Sequence, residues 1–268
     1  VCALVFLGCP LRMILRMSAG DISAYVGLVG FVAGIATGAY FLRKGFSLGR
    51  AYTIKKENGY AFPLVVAVLF ALVIAVPSLY AFSEKGPGSV HAIWYASLGV
   101  GLLFGVIAQR SRMCFAGSIR DIIFLKDFRL FSVVSGIFIF MLVYNLATNN
   151  FKFVPFGPIA HAQTVWNILS MYAVGFCAVL LGGCPLRQLV LAGTGSSDSV
   201  ITVLGMFVGA ALAHNFKLAG ASAVAENAAK GIKAVAGGPG LNGQIFVVAS
   251  IFVLFIIAFL GLKKEKTR

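Results

Sequence analysis

The chain reads as a succession of long apolar runs separated by short charged or glycine-rich punctuation. A helix needs about 20 apolar residues to cross a hydrocarbon layer of about 30 Å. Runs of that order lie near residues 22 to 43, 62 to 82, 92 to 109, 130 to 148, 165 to 183, 199 to 216 and 243 to 262. The pattern predicts seven spanning helices and a short stub before them that reads as the middle of a helix. Backbone polar groups in lipid must be satisfied within protein, so the expected fold class is an all-α polytopic membrane protein.

Composition narrows this further. Of 268 residues, 60% are hydrophobic and 11% charged, and the mean hydropathy is +0.96. Those values exclude an ordinary soluble domain or soluble enzyme. A net charge of +14 suggests nucleic acid in a soluble chain, but here the lysines and arginines flank apolar runs, so the partner expected is the lipid bilayer and no nucleic acid. Segment 43 to 60 carries Arg43, Lys44, Arg50, Lys55 and Lys56; segment 110 to 129 carries Arg110, Arg112, Arg120, Lys126 and Arg129; the tail carries Lys263, Lys264, Lys266 and Arg268. Alternation puts these three on one side, while the intervening loops hold only Lys85, Lys152, Lys217, Lys230 and Lys233. The dense side is expected to be cytoplasmic, which places the C-terminus inside and the protein in the inner membrane. Trp94 and Trp166 near the starts of two spans read as interfacial anchors.

The chain also resembles itself. Residues 2 to 12, CALVFLGCPLR, align without gaps on 177 to 187, CAVLLGGCPLR, with identity at 7 of 11 positions, which duplication explains better than chance. Both copies run on through Gly20-Asp21, or through Gly195 and Asp198 after a small insertion, into a glycine-rich apolar helix. Five expected spans separate the copies, an odd number, so the copies should face opposite sides of the membrane as inverted repeats do. One membrane domain over 1–268 is expected, with 1–91 the remainder of a first repeat and a connection and 92–268 the second repeat. The segment QRSRMCFAGSIRD, at 109 to 121, lies seventy residues before Cys184, and its first-repeat partner projects to before Val1. The sequence thus reads as N-terminally truncated by roughly 80 to 100 residues of a complete repeat.

Gly-Cys-Pro at the end of an apolar helix is a break signal. Gly8 and Gly183 permit unusual backbone angles, and Pro10 and Pro185 suit the first turn of a new helix. The cysteine then sits near an N-cap, where N–H groups and positive potential suit an anion. Arg12 and Arg187, three residues on, add a cation one turn away, unless they snorkel to the interface or pair with Asp21 or Asp198. Cys9, Cys114 and Cys184 lie at helix breaks amid Gly, Arg and Ser and are the candidate thiols; Ser118 joins them as a path residue. Cys2 and Cys177 read as packing residues inside apolar helices. His91 and His161 fall in outer loops, and His214 with Asn215 reads as capping or interhelical bonding. Gly30 with Gly34 and Gly205 with Gly209 read as close helix packing. No CxxC and no zinc-like spacing occurs, so neither metal nor cofactor is expected.

GGCPLRQLVLAGTGSSD, QRSRMCFAGSIRD and the doubled GCPLR resemble the YeeE/YedE membrane proteins of the sulphur-transport family. AHNF at 213 to 216 is most similar to the YedE branch, put forward as selenium transporters. The resemblance implies an inverted repeat in which Cys9, Cys114 and Cys184 pass a sulphur anion inward through thiol-to-sulphur hydrogen bonds, with a TusA-like soluble sulphur carrier as partner. The reading is a permease, not an enzyme, for a thiosulfate-like or selenium-containing anion. A membrane-embedded thiol redox or persulfide-forming enzyme is the alternative, and an accessory subunit with inert cysteines a third. No acidic residue stands clearly inside a span, which disfavours proton coupling.

Overall fold

The apolar runs are helical. The computed structural model describes residues 1–47, 56–79, 92–224 and 235–266. Arg50, Lys55, the 80 to 82 end of the second expected span, Lys85, His91, Lys230, Lys233 and Arg268 lie outside the described residues, as do the side chains of Lys56, Lys263, Lys264 and Lys266. The helices are α1 (Cys2–Val5), α2 (Pro10–Ser18), α3 (Ile22–Arg43), α4 (Lys56–Ala75), α5 (Trp94–Arg110), α6 (Phe115–Leu125), α7 (Arg129–Ala147), α8 (Thr164–Leu180), α9 (Pro185–Gly193), α10 (Ser197–Asn215) and α11 (Leu241–Lys266). The sheet is a clip of two residue pairs, Gly220–Ala221 antiparallel to Gly238–Pro239. The chain is a multi-pass, all-α membrane protein.

Six runs among the described residues are long and apolar enough to cross a membrane: Ile22–Arg43, Trp94–Leu125, Arg129–Ala147, Thr164–Gly193, Ser197–Asn215 and Leu241–Leu262. The expected span at 62 to 82 is shorter than its sequence suggests, because α4 stops at Ala75 and its apolar part is Gly59–Ala75. Pro77 explains the stop: proline disfavours helical geometry in the residue before it and has no N–H to continue the ladder. Two runs are instead too long for one straight crossing, with 32 residues in Trp94–Leu125 and 30 in Thr164–Gly193. Each is broken, the first before Cys114 and the second before Cys184. The segment 110 to 129, expected as a basic loop, is therefore largely helix α6.

The breaks share one backbone design. Where α1 ends, Leu7 is left-handed (φ 62), Gly8 N–H bonds the Ala3 carbonyl at 2.8 Å and Leu7 N–H the Leu4 carbonyl at 3.3 Å. Where α8 ends, Gly182 is left-handed (φ 76), Gly183 N–H bonds Ala178 at 2.8 Å and Gly182 N–H bonds Val179 at 3.1 Å. Where α5 ends, Arg112 is left-handed (φ 52), Met113 N–H bonds Ala108 at 3.1 Å and Arg112 N–H bonds Gln109 at 3.2 Å. This is the Schellman cap, which satisfies carbonyls that a helix end orphans. In all three, a cysteine comes next and then a short helix. The unusual angle falls one residue earlier than expected, on Leu7 and Gly182 rather than Gly8 and Gly183, because the cap puts its left-handed residue just before the one whose N–H reaches back to Ala3 or Ala178.

The duplication holds at one constant separation, that between Cys2 and Cys177. The short helices end at left-handed Gly20 (φ 92) and Gly195 (φ 90), and the following long helices start at Ile22 and Ser197. No insertion is needed, so Ser196 rather than Asp198 stands opposite Asp21. The same separation pairs Gly30 with Gly205 and Gly34 with Gly209.

Two compact units are present, Val1–Arg50 with Cys114–Leu186 and Leu204–Arg268, and Ala51–Met113 with Arg187–Val203. The first is organised by α3 against α8. A Cβ at Gly30 would strike the Ile168 carbonyl and one at Gly34 the Tyr172 carbonyl, and Gly175 presents its own bare face to the Phe31 carbonyl. Glycines let the two backbones touch, the usual basis of association where lipid removes the hydrophobic drive. Phe41 stacks on Phe176 at 5.8 Å and Phe255 of α11 meets Phe176 at 5.1 Å, which closes one end of this contact. On α10 the equivalent Gly205 has no atom within 4 Å of a built Cβ among the described residues, and Gly209 meets only Val1. Gly34→Leu is therefore expected to destabilise the protein by about 1–3 kcal/mol through overpacking. Gly205→Leu, its duplicate, should leave the melting temperature in detergent unchanged; equal effects of the two would refute the packing assignment.

Candidate functional site

Each short helix begins on a cysteine. Cys9 is the N-cap of α2 with extended geometry (φ −83, ψ 171), and Pro10 takes the first helical position, where its missing N–H costs nothing. Cys184 stands likewise before Pro185 and α9. Cys114 caps α6 through its side chain, with Gly117 N–H donating to Sγ at 3.2 Å. Sulphur is a weak acceptor compared with the Ser or Asp oxygens usual at this position. A thiol cap therefore leaves the helix terminus less satisfied and its positive end more available to an anion.

The structure brings two of the three thiols together. Cys184 N–H donates to Cys114 Sγ at 3.4 Å, and the Cys184 side chain is itself a hydrogen-bonding partner of Cys114. The N-termini of α6 and α9 thus converge on one sulphur. The pair is enclosed, with Cys114 6% and Cys184 1% exposed. Cys9 takes the matching position in the first copy and is partly exposed. All five cysteines are thiols rather than disulfides.

The other candidates distribute around these breaks. Ser118 is fully buried in the first turns of α6, and its hydroxyl donates to the Phe115 carbonyl at 2.8 Å. Arg12 folds its stem against Gly8, extends Nη2 to the Pro158 carbonyl at 3.4 Å, and leaves Nε buried without a hydrogen bond. Arg187, which lies in the second unit, donates to Gln109 Oε1 at 3.2 Å. Neither arginine pairs with Asp21 or Asp198 among the described residues.

Asp21 belongs to a residue the sequence reading passed over. Arg16 donates from Nε to Asp21 Oδ2 at 2.7 Å, from Nη2 to Ser23 Oγ at 2.6 Å and from Nη1 to the Phe6 carbonyl at 3.3 Å, with its guanidinium 4.6 Å from the centre of the Phe6 ring. Asp21 also caps α3 by accepting from Ser23 N–H at 2.9 Å. His161, expected in an outer loop, is fully buried, and its Nε2 donates to the Val5 carbonyl at 3.0 Å. Two carbonyls freed at the end of α1, those of Val5 and Phe6, are thereby met by side chains. The second copy has Leu191 and Ser196 in place of Arg16 and Asp21, so only the first break is bolted this way. An arginine and an aspartate five residues apart within an apolar membrane segment were the legible signal.

Asp21→Ala is expected to cost about 3–5 kcal/mol, since it strands a buried guanidinium; a melting temperature within error of the parent would refute the bolt. His161 yields a second expectation. Burial holds its imidazole below the ordinary value, opposed by the Val5 hydrogen bond and helped by the Arg16 charge, so folding favours the neutral ring. As pH falls through the unfolded value of about 6.5, the unfolded chain takes up a proton that the folded chain refuses. Stability should therefore drop between about pH 7 and pH 5.5, read by thermal melts, and His161→Gln should flatten that dependence.

The profile of the sulphur-transport family matches residues 110–268. The thiosulfate transporter TsuA of Spirochaeta thermophila is 31% identical over 125 residues, so the match spans 44% of this chain and only 35% of that curated relative. No solved structure matches.

Proposed function

The chain belongs to the sulphur-transport family, and we propose that it is a permease for a small sulphur- or selenium-containing anion, with Cys9, Cys114 and Cys184 as relay points along its path. The observation that carries this reading is the convergence of the α6 and α9 N-termini on the Cys114 and Cys184 thiols. Helix termini supply positive potential for the anion's charge. The thiols meet its large, polarisable chalcogen at less desolvation cost than a hard oxyanion demands. TsuA is named as a thiosulfate transporter, which makes thiosulfate the first substrate to try. A selenium species of similar charge and softness would meet the same groups.

Within this reading the other residues take supporting roles. Gly8 and Gly183 stand between the left-handed cap residue and the cysteine. Arg12, with Nε unbonded beside Gly8, and Arg187 add positive charge close to the first turn of their helices. Ser118 steadies the turn behind Cys114 by its bond to Phe115. The two GCPLR copies belong to inverted repeats, residues 1–91 holding the remainder of the first with a connection and 92–268 the second, so their cysteines address the path from opposite sides. The protein resides in the inner membrane with its C-terminus cytoplasmic, and a TusA-like soluble carrier receives the sulphur.

Uptake of radiolabelled thiosulfate and selenite by cells that lack their own routes and express the gene tests this. Uptake of either should fall to background in Cys184→Ala and persist in Cys177→Ala, with both proteins present in the membrane. Undiminished uptake by Cys184→Ala would overturn the relay. A persulfide trapped on Cys114 without net uptake would favour the thiol-enzyme reading instead.

A further inference from the structure

We propose that Cys114 and Cys184 also form a redox lock, in which an oxidised sulphur dianion of the polythionate class joins the two thiols in a disulfide and closes the path. The inference deepens the transport reading and rests on it for the route by which the dianion reaches enclosed thiols. It begins from geometry. Cys184 N lies 3.4 Å from Cys114 Sγ, and an N–Cα bond of about 1.46 Å then keeps Cys184 Cα within about 4.9 Å of that sulphur. A disulfide needs an S–S bond of about 2.05 Å and Cα atoms about 4.4–6.8 Å apart, which this placement serves through side-chain rotation. Neither cysteine is fixed by a disulfide elsewhere.

The chemistry follows from the size and charge of the proposed cargo. Tetrathionate is two thiosulfates joined through sulphur, also a dianion, and is attracted by the same helix termini. The Cys114 thiolate attacks a central sulphur, the central S–S bond breaks, and one thiosulfate leaves with the electron pair, so that Cys114 carries an S-thiosulfonate-type adduct, Cys–S–S–SO3⁻. The Cys184 thiolate then attacks Cys114 Sγ and displaces the second thiosulfate. Two thiols lose two electrons and release two protons to water, and one tetrathionate becomes two thiosulfates. The resulting disulfide removes both thiol donors from the path and draws their sulphurs from non-bonded contact to bonding distance. Oxidised sulphur outside thus shuts the route for reduced sulphur, and a dithiol reopens it.

The test treats the membrane-embedded protein with tetrathionate, washes it free, and reads peptides under non-reducing conditions. Trypsin separates the two cysteines, because Cys114 lies between Arg112 and Arg120 and Cys184 between Lys152 and Arg187. A Cys177→Ser background leaves one thiol in the second peptide. The expected result is a Cys114–Cys184 cross-link, loss of two alkylatable thiols, release of two thiosulfates per chain, and uptake that stays blocked after washing until dithiothreitol is added. In Cys184→Ala the adduct on Cys114 should persist, since no second thiol resolves it. Unmodified thiols, adducts that never proceed to a cross-link in the parent, or a cross-link to another cysteine each overturn the lock. Cross-link mapping does not depend on uptake, whereas absence of uptake by untreated protein would count against the transport reading alone.

Discussion

A helix broken inside lipid has to find a partner for every carbonyl and N–H that the break frees, and the rest of this structure depends on how that is done. Each break that precedes Cys9, Cys114 or Cys184 uses the same device, a Schellman cap ending at Leu7-Gly8, Arg112-Met113 or Gly182-Gly183. The cap satisfies part of the carbonyl side of the break within the helix, and at the first break Arg16 and His161 meet the Phe6 and Val5 carbonyls that it leaves. The N–H side of each break opens a short helix, α2, α6 or α9, and there a cysteine stands each time. Each break thus sets a thiol at the positive end of a short helix.

The two duplicated breaks have diverged in how they are held. At the first, Arg16 ties the Phe6 carbonyl to Asp21 and Ser23, and Asp21 in turn starts α3. A buried ion pair is a poor source of net stability, because desolvation offsets its attraction, but it fixes geometry, since no alternative arrangement leaves either charge paired. At the second break the same positions hold Leu191 and Ser196, and the fixed point is the thiol contact between Cys184 and Cys114. One copy is held by charge, and the other is held through the groups proposed to handle substrate. Divergence of this kind is what an internal duplication allows once its two copies take unequal parts.

Much of this was legible. Apolar runs gave the helices at Ile22–Arg43, Arg129–Ala147 and Leu241–Leu262 nearly to the residue, because span length is imposed by the bilayer. The doubled GCPLR marked two breaks, since Gly, Pro and a gapless repeat are local signals. The third was harder: Arg112-Met113 contains no glycine, and its left-handed arginine follows from the cap rather than from residue preference, so α6 was hidden in a basic segment. Proline at position 77 shortened α4 in a way that hydropathy alone does not register. The Arg16 bolt and the burial of His161 depend on carbonyls that exist as orphans only after α1 has been broken and placed. The contact between Cys114 and Cys184, seventy residues apart, likewise belongs to tertiary structure.

The choice of sulphur at the cap can be argued from what a path requires. Conduction needs sites that bind well enough to admit a solute and weakly enough to release it. An aspartate at the N-cap would close the terminus with strong hydrogen bonds and repel an anion outright, and a serine would hold the N–H groups at normal strength. A thiol cap does neither: Cys114 Sγ accepts from Gly117 at 3.2 Å and from Cys184 N at 3.4 Å, contacts that are long and soft. An arriving anion can take over those N–H donors for a small loss and return them on leaving. The same weakness leaves the sulphurs near one another, which joins the proposed passage of a sulphur anion to its proposed closure by a more oxidised one.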